Sequence, residues 1–366
     1  MSTATKVNER LVRLTELGTS IWLDQIQRSW LDNGEVARMV REESVRGMTS
    51  NPAIFEKAIL GSSDYDERIH ELVEGGADAR AIYQDVAIRD VQDACDVLRS
   101  VYDAAGGTDG FVSLEVDPDL AHDTDKTMEE AREYWHRVDR PNLMIKIPGT
   151  DAGLPAIEQM LYEGLNINVT LLFKVQQYAR VIDAFIAANE RRSAEGLPLD
   201  RQSVASFFVS RVDTEVDKRL EELGRTDLAG KAGLANARAA YRLYLEVFKG
   251  DRFAELRKAG APVQRPLWAS TGTKNPDYSD VLYVEGLAGP ETVNTMPLAT
   301  LQASADHLDV KEATVMIDPA EDLAALAAAG VDMDDVTDKL LRDGIDAFVT
   351  PMVKLLEGID AKRERV

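Results

Sequence analysis

Eight short apolar segments recur along the chain, each followed by a longer stretch whose apolar residues return three and four positions apart. This alternation limits the possible folds more than any other feature. The segments are SIWLD (20–24), GMTSNP (47–52), GFVSLEVD (110–117), NLMIKIP (142–148), NINVTLLF (166–173), SVASFFVS (203–210), RPLWAST (265–271) and the weaker ETVNTMP (291–297). Between them lie stretches such as GEVARMVREES, DLAHDTDKTMEEAREYWHRV and VQQYARVIDAFIAANERR, which have the spacing of amphipathic helices. Strand alternating with helix argues for parallel βαβ units. Eight units match a closed (β/α)8 TIM barrel, with an open doubly wound sheet as the alternative. No GxGxxG follows the first segment and no phosphate-binding GxxxxGKS/T occurs, which removes the best support for a nucleotide-binding open sheet. The expected fold is therefore an α/β TIM barrel. Residues 53–109 and 212–264 are long enough for extra helices, and a terminal helical region is expected over about 318–364. No Pro/Gly/Ser linker or fixed-period repeat interrupts the pattern, so residues 1–366 are expected to form one domain.

Composition narrows the function classes. With 366 residues and 45% hydrophobic content the chain can bury a large core. One cysteine, Cys95, and four histidines leave no disulfide framework and no zinc-spaced cluster, which fits a reducing, cytoplasmic setting. Cys95 reads as a packed thiol on a helix. The N-terminal MSTATKVNERLVRLTELG carries charges every few residues, unlike a signal peptide or membrane span. A net charge of −22 repels nucleic acid and anionic lipid at long range, so neither is an expected partner. An anionic ligand must then meet a local cluster of cations.

Polar residues fall on one face of several strands. Side chains alternate along a strand, so Asn166, Asn168 and Thr170 share one face of the fifth segment while Ile167, Val169 and Leu171 share the other. Likewise Ser113, Glu115 and Asp117 oppose Val112, Leu114 and Val116, and Ser206 and Ser210 lie on one side of the sixth segment. Buried parallel strands usually read as continuous Val/Ile/Leu, so polar faces require hydrogen-bond partners or a wet cavity. In a barrel that cavity is the C-terminal mouth. Taken singly, these residues have plainer readings, since Asp24 and Asn51 could each cap the helix after its strand. Trp22 and Trp268 read as core or pocket wall.

Lys146 sits in the middle of the apolar run LMIKI, where an ammonium would lose hydration. Burial disfavours the charged form of an amine, and an uncharged amine can form a Schiff base whose iminium acts as an electron sink for cleaving the neighbouring carbon–carbon bond. Snorkelling out of the strand, or pairing with Glu115, are the bland alternatives. Schiff-base aldol chemistry also needs proton carriers. Asp24 and Glu115, at the ends of two strands, are the available carboxylates. Asn51, Asn168, Thr49, Thr170 and Ser206 add neutral groups suited to a polyhydroxylated substrate.

LDQI after SIW, GMTSNPAIF, SLEVDP, LMIKIPGT, NINVTLLF and ASFFVSRVDTEVD, in this order, closely resemble the transaldolases, and the matched set spans nearly the whole chain. The resemblance implies a class I aldolase-type barrel of the pentose phosphate pathway that needs no cofactor and holds no metal. Such an enzyme moves a dihydroxyacetone unit from sedoheptulose 7-phosphate or fructose 6-phosphate to glyceraldehyde 3-phosphate or erythrose 4-phosphate, as a monomer or homodimer. It further implies that Lys146 is the Schiff-base lysine and Asp24 the acid/base at the cleaved bond. Glu115, with Thr170 and a water, would relay protons during imine formation. Asn51 and Asn168, with Thr49 and Ser206 beside them, would hold the hydroxyls of the three-carbon unit.

The same resemblance makes Arg211 the ligand of the sugar phosphate, with Ser270 and Lys274 beside it. A guanidinium can make paired hydrogen bonds to phosphate that a lysine cannot. Read locally, Arg211 could instead pair with Asp213 or Glu215, and 268–276 could be a turn with an exposed lysine. The chain departs from the pattern in two places. Many transaldolases have Ser-x-Arg where this chain reads Ser270-Thr271-Gly272-Thr273-Lys274, and glycine where it has Ser210. Two other functions fit the same residues. One is a fructose-6-phosphate or dihydroxyacetone aldolase, which releases free dihydroxyacetone, and the other is an inactive sugar-phosphate-binding barrel.

Overall fold

All eight expected strands form and pair in sequence order into a closed parallel barrel in a computed structural model that describes residues 7–364. The strands are β1 (Thr19–Leu23), β2 (Val45–Thr49), β3 (Val112–Glu115), β4 (Leu143–Pro148), β5 (Ile167–Leu172), β6 (Ser203–Phe208), β7 (Gln264–Ala269) and β8 (Thr292–Met296). Closure comes from β1 pairing with both β2 and β8, which leaves no sheet edge. Residues 1–6 and 365–366, the first residues of the N-terminal segment and the last of the expected domain, lie outside the described residues.

The barrel separates two apolar cores. Residues such as Ile145, Ile147, Ile167 and Val169 point outward and pack with the surrounding helices. Inside, Trp22, Met144, Val204, Leu267 and Val293, from five different strands, form a fully buried plug. A cavity can therefore open only above it, at the C-terminal end. Both tryptophans are core. The Trp22 indole donates to Ser20 and Asp109, and that of Trp268 to the Leu287 carbonyl. Trp22 also explains Gly47, where a Cβ would come within 2.5 Å of the indole ring.

The two long insertions hold helices, as expected. Pro52–Leu60, Asp66–Glu74 and Ala79–Ala104 fill the first, and Ser210–Glu222, Ala232–Phe248 and Ala254–Lys258 the second. Cys95 is buried in the helix Ala79–Ala104, and burial pushes its thiol pKa well up. The terminal region contains Ala320–Ala328 and the 31-residue helix Met333–Arg363, which crosses toward the barrel mouth. There Gly344 lets the helix approach β5, since a Cβ would lie 3.1 Å from Leu171 Cδ2. At its far end Gly358 packs on Leu60, and Lys362 Nζ donates to the carbonyls of Ile59 and Ser62 at 3.0 and 3.3 Å. Among the described residues, no helix is long and apolar enough to cross a membrane.

Candidate active site

Strand register brings the chemistry together. Glu115 on β3 lies opposite Lys146 on β4, and Lys146 opposite Asn168 on β5, so three polar side chains share one level of the barrel interior. Lys146 Nζ lies 3.1 Å from Glu115 Oε2 and 3.2 Å from the Ser50 carbonyl. Lys146 is only 4% exposed, yet it lines a cavity of about 620 Å³ at the mouth. Of the two bland alternatives, the pairing with Glu115 is present and snorkelling is absent. The pairing does not remove the amine from the cavity.

Glu115 sits beside the lysine on the neighbouring strand, and burial pushes its carboxyl up to about 7 against the opposing pull of Lys146. Its second oxygen, Oε1, is buried without a partner among the described residues, and so is Thr170 Oγ1 on the cavity wall. Two orphaned buried groups of this kind are what a bridging water or a substrate hydroxyl would satisfy. Thr170 lies in a bulge. Between the pairs Val169–Ala205 and Leu172–Phe207, β5 carries one residue more than β6, and Leu171 takes a positive φ of 59°. Such bulges re-aim side chains beside functional sites, and a left-handed leucine persists only where its surroundings over-determine it.

Asp24 follows β1 on the opposite side of the mouth. It does not cap the next helix, whose N-cap position is Gln27 with no side-chain bond. Instead it accepts a hydrogen bond from Thr49 Oγ1 at 2.6 Å, and Thr49 contacts Thr295 Oγ1 at 2.7 Å. Burial raises the Asp24 pKa, while Lys146, the Thr49 bond, Arg211 and Lys274 all act against the rise. Asn51 does cap its helix, since its Oδ1 accepts from Ile54 N at 3.0 Å. The residue also lines the cavity, so its amide nitrogen is the group left for a ligand.

Asn168 and Ser206 behave differently from each other. Ser206 reaches the cavity and donates to Asn168 Oδ1 at 2.6 Å. Asn168 is fully buried, donates to Ser113 Oγ at 3.0 Å and lies below the cavity wall. Two other members of the polar faces fall away from the site. Asn166 latches the lower barrel, donating to the carbonyls of Pro141 and Leu143 and accepting from Gln202 N. Asp117 lies past the end of β3, where it caps a short turn and pairs with Arg80.

Cations gather on the side of β6 and β7. Arg211, in the first turn of the helix Ser210–Glu222, lines the cavity and stacks between Phe208 and Phe348 at 5.2 and 6.0 Å from their ring centroids. It forms no ion pair among the described residues. Asp213 accepts from Gly233 N and the Tyr283 hydroxyl, while Glu215 pairs with Arg219 and Lys339, so neither carboxylate near it in sequence is available. Burial without a paired anion lowers the Arg211 pKa. Ser270, at φ 55°, and exposed Lys274 also line this wall. The two departures from the resembled pattern touch each other here, with Ser210 Oγ 2.8 Å from Ser270 Oγ.

Residues not singled out from sequence complete the wall, chiefly Thr295 on β8, Lys57 on the helix Pro52–Leu60, and Phe348 on the C-terminal helix. Thr295 had a signal in the alternation of ETVNTMP. Lys57 and Phe348 had none, because ordinary helical positions say nothing about which cavity they will face. Among the described residues, no group of three or more His, Cys, Asp or Glu is placed to hold a metal ion.

Comparison with known proteins accounts for nearly the whole length. The family model described as transaldolase/fructose-6-phosphate aldolase matches residues 21–359. A protein named transaldolase from Saccharopolyspora erythraea is 51% identical over 357 residues, covering 96% of this chain and 97% of the relative. Others so named, from Mycobacterium marinum and Acidothermus cellulolyticus, are each 50% identical, with 97% and 98% of both chains covered. A barrel with a buried lysine beside a carboxylate, matched over this length, belongs to the transaldolase/fructose-6-phosphate aldolase family.

Proposed function

We propose that this protein is a transaldolase of the pentose phosphate pathway, transferring a dihydroxyacetone unit from a ketose phosphate to an aldose phosphate through a Schiff base on Lys146. The single observation that carries the reading is an amine buried at 4% exposure that still lines the mouth cavity, 3.1 Å from a carboxylate. The names of the relatives favour transfer over simple aldol cleavage.

In this reading Lys146 attacks the C2 carbonyl of fructose 6-phosphate or sedoheptulose 7-phosphate. Glu115 and Thr170, each with a buried polar atom left unpartnered, hold a water that carries protons as the carbinolamine loses water. Asp24 removes the C4 hydroxyl proton, the C3–C4 bond breaks into the iminium, and an aldose phosphate leaves. The three-carbon enamine then attacks the acceptor aldehyde, and the steps reverse. Thr49 fixes the Asp24 carboxylate through its 2.6 Å bond. Asn51 and Ser206 bind the substrate hydroxyls. Asn168, beneath the wall, orients Ser206 and fixes the floor through Ser113. Arg211, with Ser270 and Lys274, takes the phosphate, an assignment supported by a guanidinium that has no anion of its own among the described residues.

The chain works as one domain, as a monomer or homodimer in the cytoplasm, a setting supported by its charge and its single cysteine. The test is borohydride reduction in the presence of fructose 6-phosphate, followed by peptide mapping. A dihydroxyacetone adduct on Lys146 is expected, and Lys146→Ala should lose both adduct and turnover. Retention of either by the variant refutes the assignment. Product analysis without an acceptor separates the aldolase, which would turn over freely to dihydroxyacetone.

A further inference from the structure

We propose that Phe348, on the C-terminal helix, is a positioning residue that decides whether the three-carbon intermediate is transferred or lost to water. The inference rests on the Schiff-base reading of Lys146. The Phe348 ring centroid lies 5.2 Å from Lys146 Nζ, and the ring is 4% exposed while forming part of the cavity wall. Any carbon bonded to Nζ sits within about 1.5 Å of it, so the ring closes one approach to that carbon. Phe208 lies 6.5 Å away centroid to centroid, and Arg211 stands over both rings. Together the two rings form an apolar wall of the cavity beside the amine.

The wall is held in place from both ends. Gly344, one helical turn before Phe348 and on the same face, meets Leu171 and Phe173 closely. Lys174 Nζ pairs with Asp338 at 3.2 Å before it, and Lys362 grips the end of the helix Pro52–Leu60 beyond it. Phe348 is thus a fixed cover.

Loss to water requires two steps. The enamine carbon that would attack the acceptor takes a proton instead, giving the iminium of dihydroxyacetone. One water then adds to its C2 and the C–N bond to Lys146 breaks, returning the amine and releasing free dihydroxyacetone. Hydrolysis at C2 also ends every transfer, so the outcome is decided at the first step, where the Phe348 ring keeps water, the proton source, away from the enamine carbon until the phosphorylated aldehyde has reacted. Excluding water from a reactive intermediate is a recognised contribution of closed sites.

The experiment measures acceptor-independent release of dihydroxyacetone from fructose 6-phosphate relative to transfer onto erythrose 4-phosphate, alongside borohydride trapping. Phe348→Ala should raise the release-to-transfer ratio by about tenfold or more while the trapped adduct persists, and Phe348→Val should raise it less. A merely structural role would lower total turnover without moving the ratio. An unchanged ratio in Phe348→Ala with the adduct intact overturns the inference alone. If that variant does not fold, an unchanged ratio in Phe348→Val does so. Failure of the unmodified protein to form the adduct overturns the Schiff-base reading and this inference with it.

Discussion

Replacing Arg211 with methionine tests the phosphate assignment through two opposite effects of one side chain. Methionine keeps an unbranched apolar stem between Phe208 and Phe348 and removes the charge. Charge-assisted hydrogen bonds are worth about 1.5–3 kcal/mol each, and a guanidinium can make two to one phosphate. The gross loss is about 3–6 kcal/mol, and because Ser270 and Lys274 remain on the same wall, the lower half of that range applies. At about 1.4 kcal/mol per factor of ten, kcat/KM for fructose 6-phosphate should fall about 10²- to 10³-fold. Folding should not suffer, because among the described residues Arg211 has no carboxylate partner to strand and its charge is disfavoured by burial. Removing an unpaired charge at a site kept for binding often stabilises, and Tm should stay level or rise by about 1–2 °C. The assay compares kcat/KM for fructose 6-phosphate with that for unphosphorylated fructose, with calorimetry alongside. The drop should appear only with the phosphorylated sugar. An equal drop for both sugars, or a large fall in Tm, would refute the reasoning and make Arg211 a structural residue.

Asp24→Asn should preserve the borohydride-trapped adduct on Lys146 while lowering turnover about 10²- to 10⁴-fold, since the variant can form the imine but cannot take the C4 hydroxyl proton; undiminished turnover would remove Asp24 from the chemistry. Asp213 gives a pH-dependent prediction away from the cavity. It is buried, accepts from Gly233 N at 2.7 Å and Tyr283 at 2.8 Å, and burial pushes its carboxyl up to about 6. With its pKa above the unfolded value, the native state binds the proton more tightly, so this residue's contribution to stability falls as pH rises from about 4 to about 6. Asp213→Asn keeps an acceptor for Gly233 and a donor toward the Tyr283 oxygen, so its stability relative to the native protein should improve across that window by on the order of 2 kcal/mol. Urea unfolding at pH 4.5 and 7 measures the change, and a difference that does not vary with pH contradicts it.

The alternation of apolar segments and helical stretches was enough to read the barrel, because a closed parallel sheet constrains every strand to be apolar outward and leaves few other residues to work with. Each of the eight segments overlaps an observed strand. Period-two alternation also grouped Glu115 and Thr170 with the polar faces of their strands, while Lys146 stood out as a charge inside an apolar run. It could not say how far up the barrel each one sits. Asn166, Asn168 and Thr170 share a face, yet one is a latch at the bottom, one lies under the floor and one reaches the cavity.

Sequence alone therefore determined the fold and the identity of the buried amine with its carboxylates, because local periodicity and an out-of-place charge are written in adjacent residues. Height within the barrel, the contact between Ser210 and Ser270, the isolation of Arg211 from its neighbouring acids, and the placement of Phe348 over Lys146 were decided only by tertiary structure. Each depends on strand register or on a helix returning across the mouth from far along the chain, and no short-range pattern records where such a return will land.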